Sequence, residues 1–343
     1  MSGSRRSPFI VPIFVPNQGC PHRCVFCEQE KITSVKTGLP NSACVTQIIE
    51  TAIRSRKYDP LHAEVAFYGG TFTNLNLGAM NELLGAVAPF LEKGLFAGVR
   101  VSTRPDSLDL RKLGLMKRAG VRTVELGVQS MDDHVLALSG RGHSAVDSEN
   151  AVGLLKRYGF RAGVQLMPGL PGDSRKVFLS TVKKVVELEP DMARIYPALV
   201  IKDTGLARMY EHGDYAPLAL SEAVEICAEG CGMLENAGIP VIRIGLMSSP
   251  ELLLGGQILA GPWHTAFGFL VRCRIYQKII EPQLPSYGRM EKVRVRVRKR
   301  DVSLLRGYRN EGMKRISLMT GAEVLAVEGD NSLPPGKIEV LEK

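Results

Sequence analysis

The chain has 343 residues and a net charge of +9, and 45% of its residues are hydrophobic. That length allows one large domain and a small one. No apolar run is long enough for a transmembrane helix, and the N-terminus lacks the apolar core of a signal peptide. With seven cysteines and no secretory signal, thiols and metal ligands are favoured over disulfides. We therefore expect a cytoplasmic, oxygen-sensitive protein with no membrane partner.

From residue 9 to about 246, apolar strand-like runs alternate with amphipathic helix-like windows. The predicted strands are 9–15, 64–68, 99–103, 121–128, 160–167 and 192–200, followed by a seventh at 239–244. The predicted helices are 44–56, 77–91, 108–119, 144–158, 177–188 and 221–237. This alternation predicts right-handed βαβ units and a parallel α/β sheet. Six repeats are fewer than the eight of a closed barrel.

Three cysteines at the spacing C-x3-C-x2-C follow the first predicted strand. They are Cys20, Cys24 and Cys27, with Phe26 directly before the last. Thiolates are the usual protein ligands of iron–sulfur clusters, and this spacing brings three of them into one short loop. No fourth cysteine lies nearby, so one iron of a 4Fe–4S cluster would remain open. A zinc loop or buried thiols are the alternatives, but zinc usually takes four protein ligands.

This arrangement resembles the signature of the radical S-adenosylmethionine (SAM) superfamily. The resemblance implies that the open iron chelates SAM and that an electron from the cluster cleaves SAM to methionine and a 5′-deoxyadenosyl radical. It implies an open (β/α)6 partial TIM barrel, in agreement with the six repeats. An electron donor of the flavodoxin or ferredoxin class is implied as a partner.

Further candidates for the SAM site follow the second and third strands, because α/β barrels bind ligands at the C-terminal ends of their strands. They are Gly69, Gly70, Thr71, Thr103 and Arg104. Glycines let the backbone approach a ligand closely. The family usually has Gly-Gly-Glu where this chain has Gly69-Gly70-Thr71, so Thr71 is a departure. A plain turn is the alternative.

Five more candidates lie at the ends of the later strands. Gln129 is expected to hydrogen-bond the ribose or the methionine group of SAM, and Arg141 to pair with its carboxylate. Gln165 and Met167 lie where the family usually houses the adenine. Tyr196 ends the sixth strand and is expected to face the substrate. A structural arginine and a core tyrosine are the alternatives for Arg141 and Tyr196.

Several short motifs resemble the radical SAM core of the Elongator catalytic subunit, which modifies the wobble uridine of transfer RNA. These motifs are residues 103–106, 127–130, 141–143, 167–171 and 196–206. Residues 127–130 and 169–171 also resemble oxygen-independent coproporphyrinogen oxidases. Elongator subunits space their first two cysteines more widely than Cys20 and Cys24. Nothing here resembles their acetyltransferase domain, so we expect the radical core to carry over without acetyl transfer.

We expect three segments: residues 1–246 as the radical SAM core, 247–289 as a bridge or lid, and 290–343 as a small basic α+β domain. His264 in the bridge is a candidate proton donor. Cys227 and Cys231 share one face of a predicted helix, where buried thiols are favoured over cluster ligands.

Residues 289–315 contain 11 Lys and Arg against three acids, a local basic block in an otherwise nearly neutral chain. A solvated strand and helix face is one interpretation of this block. The predicted order β-α-turn-α-β-β resembles a KH domain, which clamps single-stranded nucleic acid at a G-x-x-G turn. Here Gly307, Tyr308, Arg309 and Lys314 are the RNA-binding candidates. Asn310 replaces the last glycine, and the usual final helix is absent. A basic structural appendage is the alternative.

Three functions follow as candidates. The first is a radical SAM enzyme acting on a transfer or ribosomal RNA. The second is a radical SAM enzyme acting on a small molecule. The third is a non-catalytic iron–sulfur or RNA-binding protein.

Overall fold

A computed structural model describes residues 8–35, 38–247, 249–253 and 255–342. The chain divides into two compact units. The first contains the residues before Leu220 together with Met233–Trp263, and the second contains Leu220–Gly232 together with the residues from His264 onward. Within the described ranges, no helix combines the length and the apolar composition needed to cross a membrane.

The first unit is built on a parallel sheet. Its strands are β1 (Phe9–Val15), β2 (Ala63–Gly69), β3 (Gly98–Thr103), β4 (Val121–Gln129), β5 (Arg161–Leu166), β6 (Met192–Ile195), β7 (Val200–Ile201), β8 (Val241–Ile244) and β9 (Ile258–Ala260). Seven of them form one sheet in the order β1-β2-β3-β4-β5-β6-β8. Every pair in that sheet is parallel. The predicted open, partial barrel is confirmed.

Helices connect these strands. They are α1 (Gln29–Thr33), α2 (Ser42–Ile53), α3 (Leu77–Glu92), α4 (Leu110–Arg118), α5 (Asp133–Leu138), α6 (Ala145–Arg157), α7 (Arg175–Leu188), α8 (Gly205–His212), α9 (Leu220–Asn236) and α10 (Pro250–Leu253). Several begin at a side chain that accepts a hydrogen bond from the first turn, as Asn76 does for α3 and Ser144 for α6. Such caps fix where each helix starts, and so the length of the loop that follows each strand.

The sixth strand is shorter than predicted. It ends at Ile195 instead of reaching residue 200. Pro197 has no backbone amide to donate to a neighbouring strand, which explains the early end. Val200 and Ile201 then pair antiparallel with β9 in a separate two-stranded ribbon. The segment expected to form a bridge or lid thus contributes a strand at Ile258–Ala260.

The second unit has a three-stranded sheet and its own core. Its elements are α11 (Phe267–Ile280), β10 (Lys292–Val297), α12 (Val302–Arg306), α13 (Glu311–Thr320), β11 (Glu323–Gly329) and β12 (Ile338–Glu342). Strand β10 is central, parallel to β11 and antiparallel to β12. The predicted order of elements from residue 292 onward, β-α-turn-α-β-β, is the order observed. The valines of β10 are buried in the core of this unit.

Helix α11 was not predicted, since its residues were expected to form part of a lid or bridge. Tyr276 and Ile280 of this helix share one apolar core with Val295, Leu305 and Ile316. The predicted boundary at residue 290 therefore falls inside this unit, and segment 247–289 is divided between the two units.

Candidate active site

The loop after β1 is fastened to the end of β2 by backbone hydrogen bonds. Gly70 donates to the Val15 carbonyl over 3.0 Å, and Thr71 donates to the Gln18 carbonyl over 2.7 Å. A Cβ atom at Gly70 would lie 2.0 Å from the Gln18 oxygen. The glycine is therefore required where the two backbones meet. The close approach of the Gly70 backbone is to this loop, and its predicted contact with SAM stays a prediction.

The three cysteines of the loop lie close enough to affect one another. Cys24 is buried, whereas Cys20 and Cys27 are half-buried. Burial, followed by the charges of Cys24 and Cys20, raises the pKa of the Cys27 thiol to about 12. Repulsion of this kind is reversed when a bound metal supplies positive charge.

This donor set fits an iron–sulfur cluster. No group of three or more His, Cys, Asp or Glu in the described ranges converges on a single metal ion. In a cubane each thiolate binds a different iron, so three ligands of one cluster need not meet at a point. Three thiols on one loop therefore suit three corners of a 4Fe–4S cluster.

Arg141 lies against the loop. Its Nη1 is 3.1 Å from the Cys24 sulfur, and its Nη2 donates to the Gly127 carbonyl over 2.5 Å. Its Nε has no hydrogen-bond partner in the described part of the chain. The guanidinium is buried and carries a positive charge beside a cluster ligand, where an anionic group would be stabilised.

Arg104 supports Arg141 from the end of β3. It donates to the Arg141 carbonyl and forms two hydrogen bonds to Asp106, over 2.9 and 2.8 Å. Burial alone would raise the pKa of Asp106, but the hydrogen bonds and charge of Arg104 outweigh burial and lower it. This fork-to-carboxylate pair fixes the Arg104 side chain, so its predicted contact with SAM stays a prediction.

His143 is a buried polar group next to both arginines. Neither ring nitrogen has a hydrogen-bond partner of normal geometry among the described residues. Burial first, and then the charges of Arg141 and Arg104, lower the pKa of His143 to about 4, while Asp106 and the Val128 backbone act weakly in the opposite direction. His143 is therefore neutral at pH 7.

Gln129 ends β4 in a left-handed conformation, with φ of +68°. This region is costly for residues other than glycine, and such strain is concentrated at functional sites. Its side-chain oxygen accepts from the Gln165 amide over 3.2 Å, and its backbone oxygen accepts from the Met167 amide over 2.9 Å. The structure thus brings together three of the residues predicted at the ends of β4 and β5.

Other predicted residues have protein partners. The Thr71 hydroxyl is 3.3 Å from the Cys20 sulfur, and the Thr103 hydroxyl bonds to that of Thr73. Phe26 and Met167 pack against one buried apolar cluster of the first unit. These contacts explain the local order, and the predicted binding of SAM by these residues stays a prediction.

Gln29 is a residue that sequence reasoning missed. Its side chain accepts from the Asn17 amide and donates to the Gly69 carbonyl over 2.6 Å. It also hydrogen-bonds Cys27, which favours the thiolate. The Gly69 carbonyl therefore has a protein donor. No spacing rule singles out Gln29 from the sequence alone.

A group of buried charges inside the barrel was also missed. Arg100 donates to Glu64 over 2.8 Å and to Glu125 over 2.5 Å. Arg194 pairs with Glu125 over 2.8 Å. A signal was available, because each of these residues is a charged residue in a strand that is otherwise mostly apolar.

Of the remaining predicted residues, Tyr196 lies in the first unit, where its hydroxyl oxygen accepts from Arg194 over 3.3 Å. The others belong to the second unit. The His264 ring packs edge-on against Tyr308, with centroids 4.8 Å apart. Gly307, Arg309 and Lys314 lie in the same unit. A catalytic role for His264 and RNA binding by the other four stay predictions.

Curated relatives cover parts of the chain. A tRNA uridine(34) acetyltransferase from Methanocaldococcus jannaschii is 29% identical over 259 residues, which cover 63% of this chain and 47% of the relative. A second, from Methanocaldococcus infernus, is 39% identical over 129 residues, covering 37% of this chain and 24% of the relative. This chain thus spans a quarter to about half of those two enzymes. An uncharacterized protein from M. jannaschii is 29% identical over 266 residues, covering 72% of this chain and 80% of that protein.

Solved structures share the fold. An archaeal Elp3 from M. infernus superimposes with a TM-score of 0.60 at 24% identity, covering 79% of this chain and 63% of that chain. Coproporphyrinogen III oxidase from Escherichia coli gives a TM-score of 0.50 at 20% identity, covering 68% and 54% of the two chains. The radical SAM C-terminal domain model matches residues 190–277. The radical SAM superfamily model matches residues 14–185, half of the chain, and this chain belongs to that superfamily.

Proposed function

We propose that Cys20, Cys24 and Cys27 hold a 4Fe–4S cluster whose open iron binds SAM, and that this radical SAM enzyme acts on RNA. When bound, the cluster supplies the electron that cleaves SAM to a 5′-deoxyadenosyl radical. The observation that carries the proposal is the three-cysteine loop with the Arg141 guanidinium against Cys24.

The residues around the loop have distinct tasks in this proposal. Arg141 offers its unpartnered Nε to the SAM carboxylate, and neutral His143 offers a donor and an acceptor nitrogen beside it. Gln129 and Gln165, linked to each other, present amide groups at the ends of β4 and β5. Burial of these groups excludes water, which strengthens every polar contact made there.

The RNA substrate is supported by the named relatives and by the charges of the second unit. Four of the 11 basic residues between 289 and 315 form ion pairs with acids: Lys292, Arg294, Arg296 and Arg315. The outward face of β10 is therefore largely neutralised. Seven have no ion pair with the described residues: Arg289, Arg298, Lys299, Arg300, Arg306, Arg309 and Lys314.

Three of these seven residues lie at or beside the predicted nucleic-acid turn. Gly307, Arg309 and Asn310 all have positive φ, and helix α13 begins directly after them. Asn310 takes the left-handed conformation expected for its replacement of glycine. Arg306, Arg309 and Lys314 are thus charges without acidic partners near the amino end of a helix, an arrangement that suits phosphate.

Anaerobic reconstitution followed by chemical reduction tests the proposal. We expect 5′-deoxyadenosine from SAM, formed faster when total RNA is added. An absence of 5′-deoxyadenosine with a full cluster would contradict the radical function. Cleavage that RNA does not change would instead point to a small-molecule substrate. A flavodoxin or ferredoxin, the proposed physiological donor, should replace the chemical reductant.

A further inference from the structure

The barrel interior holds two arginines and two glutamates in one connected group. Arg100 lies deepest, with 2% of its side chain exposed, and Glu125 and Glu64 are 7% and 9% exposed. Arg194 is 17% exposed. Gly163 leaves room for this group, because a Cβ there would lie 3.1 Å from the Glu125 side chain. The four charges sum to zero, so the group gives the interior no net attraction for an anion.

Arg194 is held on several sides. Its Nη2 donates to Tyr68 over 2.7 Å and to Glu125 over 2.8 Å, and its Nε lies 2.8 Å from the other Glu125 oxygen. The guanidinium also stacks 4.9 Å from the centre of the Tyr68 ring. A planar guanidinium fixed in this way cannot rotate freely, so its remaining nitrogen, Nη1, points in a defined direction.

That remaining nitrogen meets Tyr196, which directly follows β6. Nη1 of Arg194 donates to the Tyr196 oxygen over 3.3 Å. The Tyr196 hydroxyl proton has no acceptor among the described residues, whereas Tyr68 donates its own to Glu125 over 3.2 Å. The Tyr196 side chain is half-buried. Tyr196 is therefore the hydroxyl of this group that is still free to donate.

We propose that Arg194 is a positioning residue that fixes the Tyr196 hydroxyl so that its proton is donated to a neutral carbonyl oxygen of the substrate, of the kind that a nucleobase carries. The proposal rests on the proposed RNA function and names the part of the RNA that enters the barrel. A phosphate is disfavoured here, because Arg194 is already neutralised by Glu125. A neutral base needs only a donor, which Tyr196 supplies.

A double-mutant cycle tests this coupling. The variants are Tyr196→Phe, Arg194→Lys and the double variant, and the measurement is the RNA-stimulated rate of 5′-deoxyadenosine formation with total transfer RNA as the probe. We expect each single change to lower the stimulated rate roughly two- to tenfold, as for one neutral hydrogen bond. Because Arg194 acts through Tyr196, the double variant should be no slower than the slower single variant. Arg157→Lys on the exposed side of α6 is the matched control and should leave the stimulation unchanged. Additive losses in the double variant would overturn the proposal.

A second readout does not depend on RNA. In the full-length protein labelled with ¹³Cζ-tyrosine, the Tyr196 resonance is assigned by its loss in Tyr196→Phe. Arg194→Lys should displace that resonance, and an unmoved resonance would overturn the coupling. A wild-type enzyme that cleaves SAM without any response to RNA would overturn the substrate part of the proposal. Wild-type protein that forms no 5′-deoxyadenosine would instead contradict the radical function itself.

Discussion

Arg100 of the first unit and Arg309 of the second unit have opposite environments. In the first unit, Arg100 is 2% exposed and has two carboxylate partners. In the second unit, Arg309 lies at a turn of the chain, with no acid paired to it among the described residues, and its guanidinium lies 5.3 Å from the centre of the Tyr308 ring. Burial without a partner costs far more than an ion pair gains, so a buried arginine must be paired. An exposed arginine has no such requirement and can remain available to a ligand.

Basic side chains therefore have different roles in this protein, depending on whether they are paired with acids. The paired arginines of the barrel fix neighbouring side chains, and Arg104, paired with Asp106, does the same beside the cysteine loop. Arg141 has no ion pair with the described residues and is proposed to bind SAM. The unpaired cations of the second unit remain available for phosphate. The predictions below test that division, beginning with the loop on which the radical function depends.

Loss of one loop cysteine should remove the cluster entirely. Reconstituted wild-type protein should hold about four irons per chain, the content of one cubane. Cys24→Ala should lose them, because two thiolates cannot retain the cluster. Cys44→Ala, which removes an exposed thiol, should keep full iron. Iron and sulfide assays measure the cluster content. Full iron in Cys24→Ala would refute the role of this cysteine as a cluster ligand.

Removing a buried arginine should destabilise the first unit strongly. Arg100→Met removes an ion-pair partner from both Glu64 and Glu125. It should lower the free energy of unfolding by about 3–5 kcal/mol. Lys156→Met removes an exposed pair with Glu189 and should cost at most about 1 kcal/mol. Urea denaturation compares the two. Equal losses of unfolding free energy in the two variants would show that burial does not determine how much these ion pairs contribute to stability.

His143 should make stability depend on pH. Its pKa is lowered to about 4 in the folded chain, below the unfolded value of about 6.5. As pH falls, the unfolded chain binds the proton first, so stability is lost between about pH 6.5 and 4. The loss is about 3 kcal/mol at 1.36 kcal/mol per unit. In unfolding curves of the cluster-free protein, His143→Gln should lack this component, and an unchanged pH profile would contradict the burial of a neutral His143.

Arg141→Ala should weaken SAM binding without emptying the cluster. Loss of a charge-assisted hydrogen bond costs about 1.5–3 kcal/mol, which is roughly 10- to 150-fold in affinity. Binding of SAM to reconstituted protein gives the affinity, and iron content is the control. Unchanged affinity would leave Arg141 with only its structural contacts to Gly127 and Cys24.

The smallest expected effect concerns the second unit. Arg309→Ala together with Lys314→Ala should reduce the salt dependence of binding to single-stranded RNA by a slope of about 1.4, at about 0.7 per phosphate contact. The matched control is Lys292→Ala with Arg294→Ala, whose charges are paired with Glu323 and Glu328. The control should change the slope less. An equal change in both double variants would remove the distinction between paired and free cations.

The sequence predicted the parallel strands and the cysteine loop well, because both depend on local pattern and spacing. It failed at helix α11, where Val271, Ile279 and Ile280 give no clean helical stripe and tertiary packing around Tyr276 supplies the stability. It also missed Arg194. The charge in an apolar strand was a signal, but its partners Glu125 and Tyr196 are known only once the neighbouring strands are placed. Gln29 shows the same limit, since its two partners lie 12 and 40 residues away in the chain.

The most direct test compares 5′-deoxyadenosine formed by wild type, by Cys24→Ala and by the Arg309→Ala, Lys314→Ala double variant after anaerobic reconstitution and chemical reduction, without RNA. Wild type and the double variant should form it at similar rates, and Cys24→Ala should form none. Formation by Cys24→Ala, or none by wild-type protein with a full cluster, would contradict the assignment of radical chemistry to this loop.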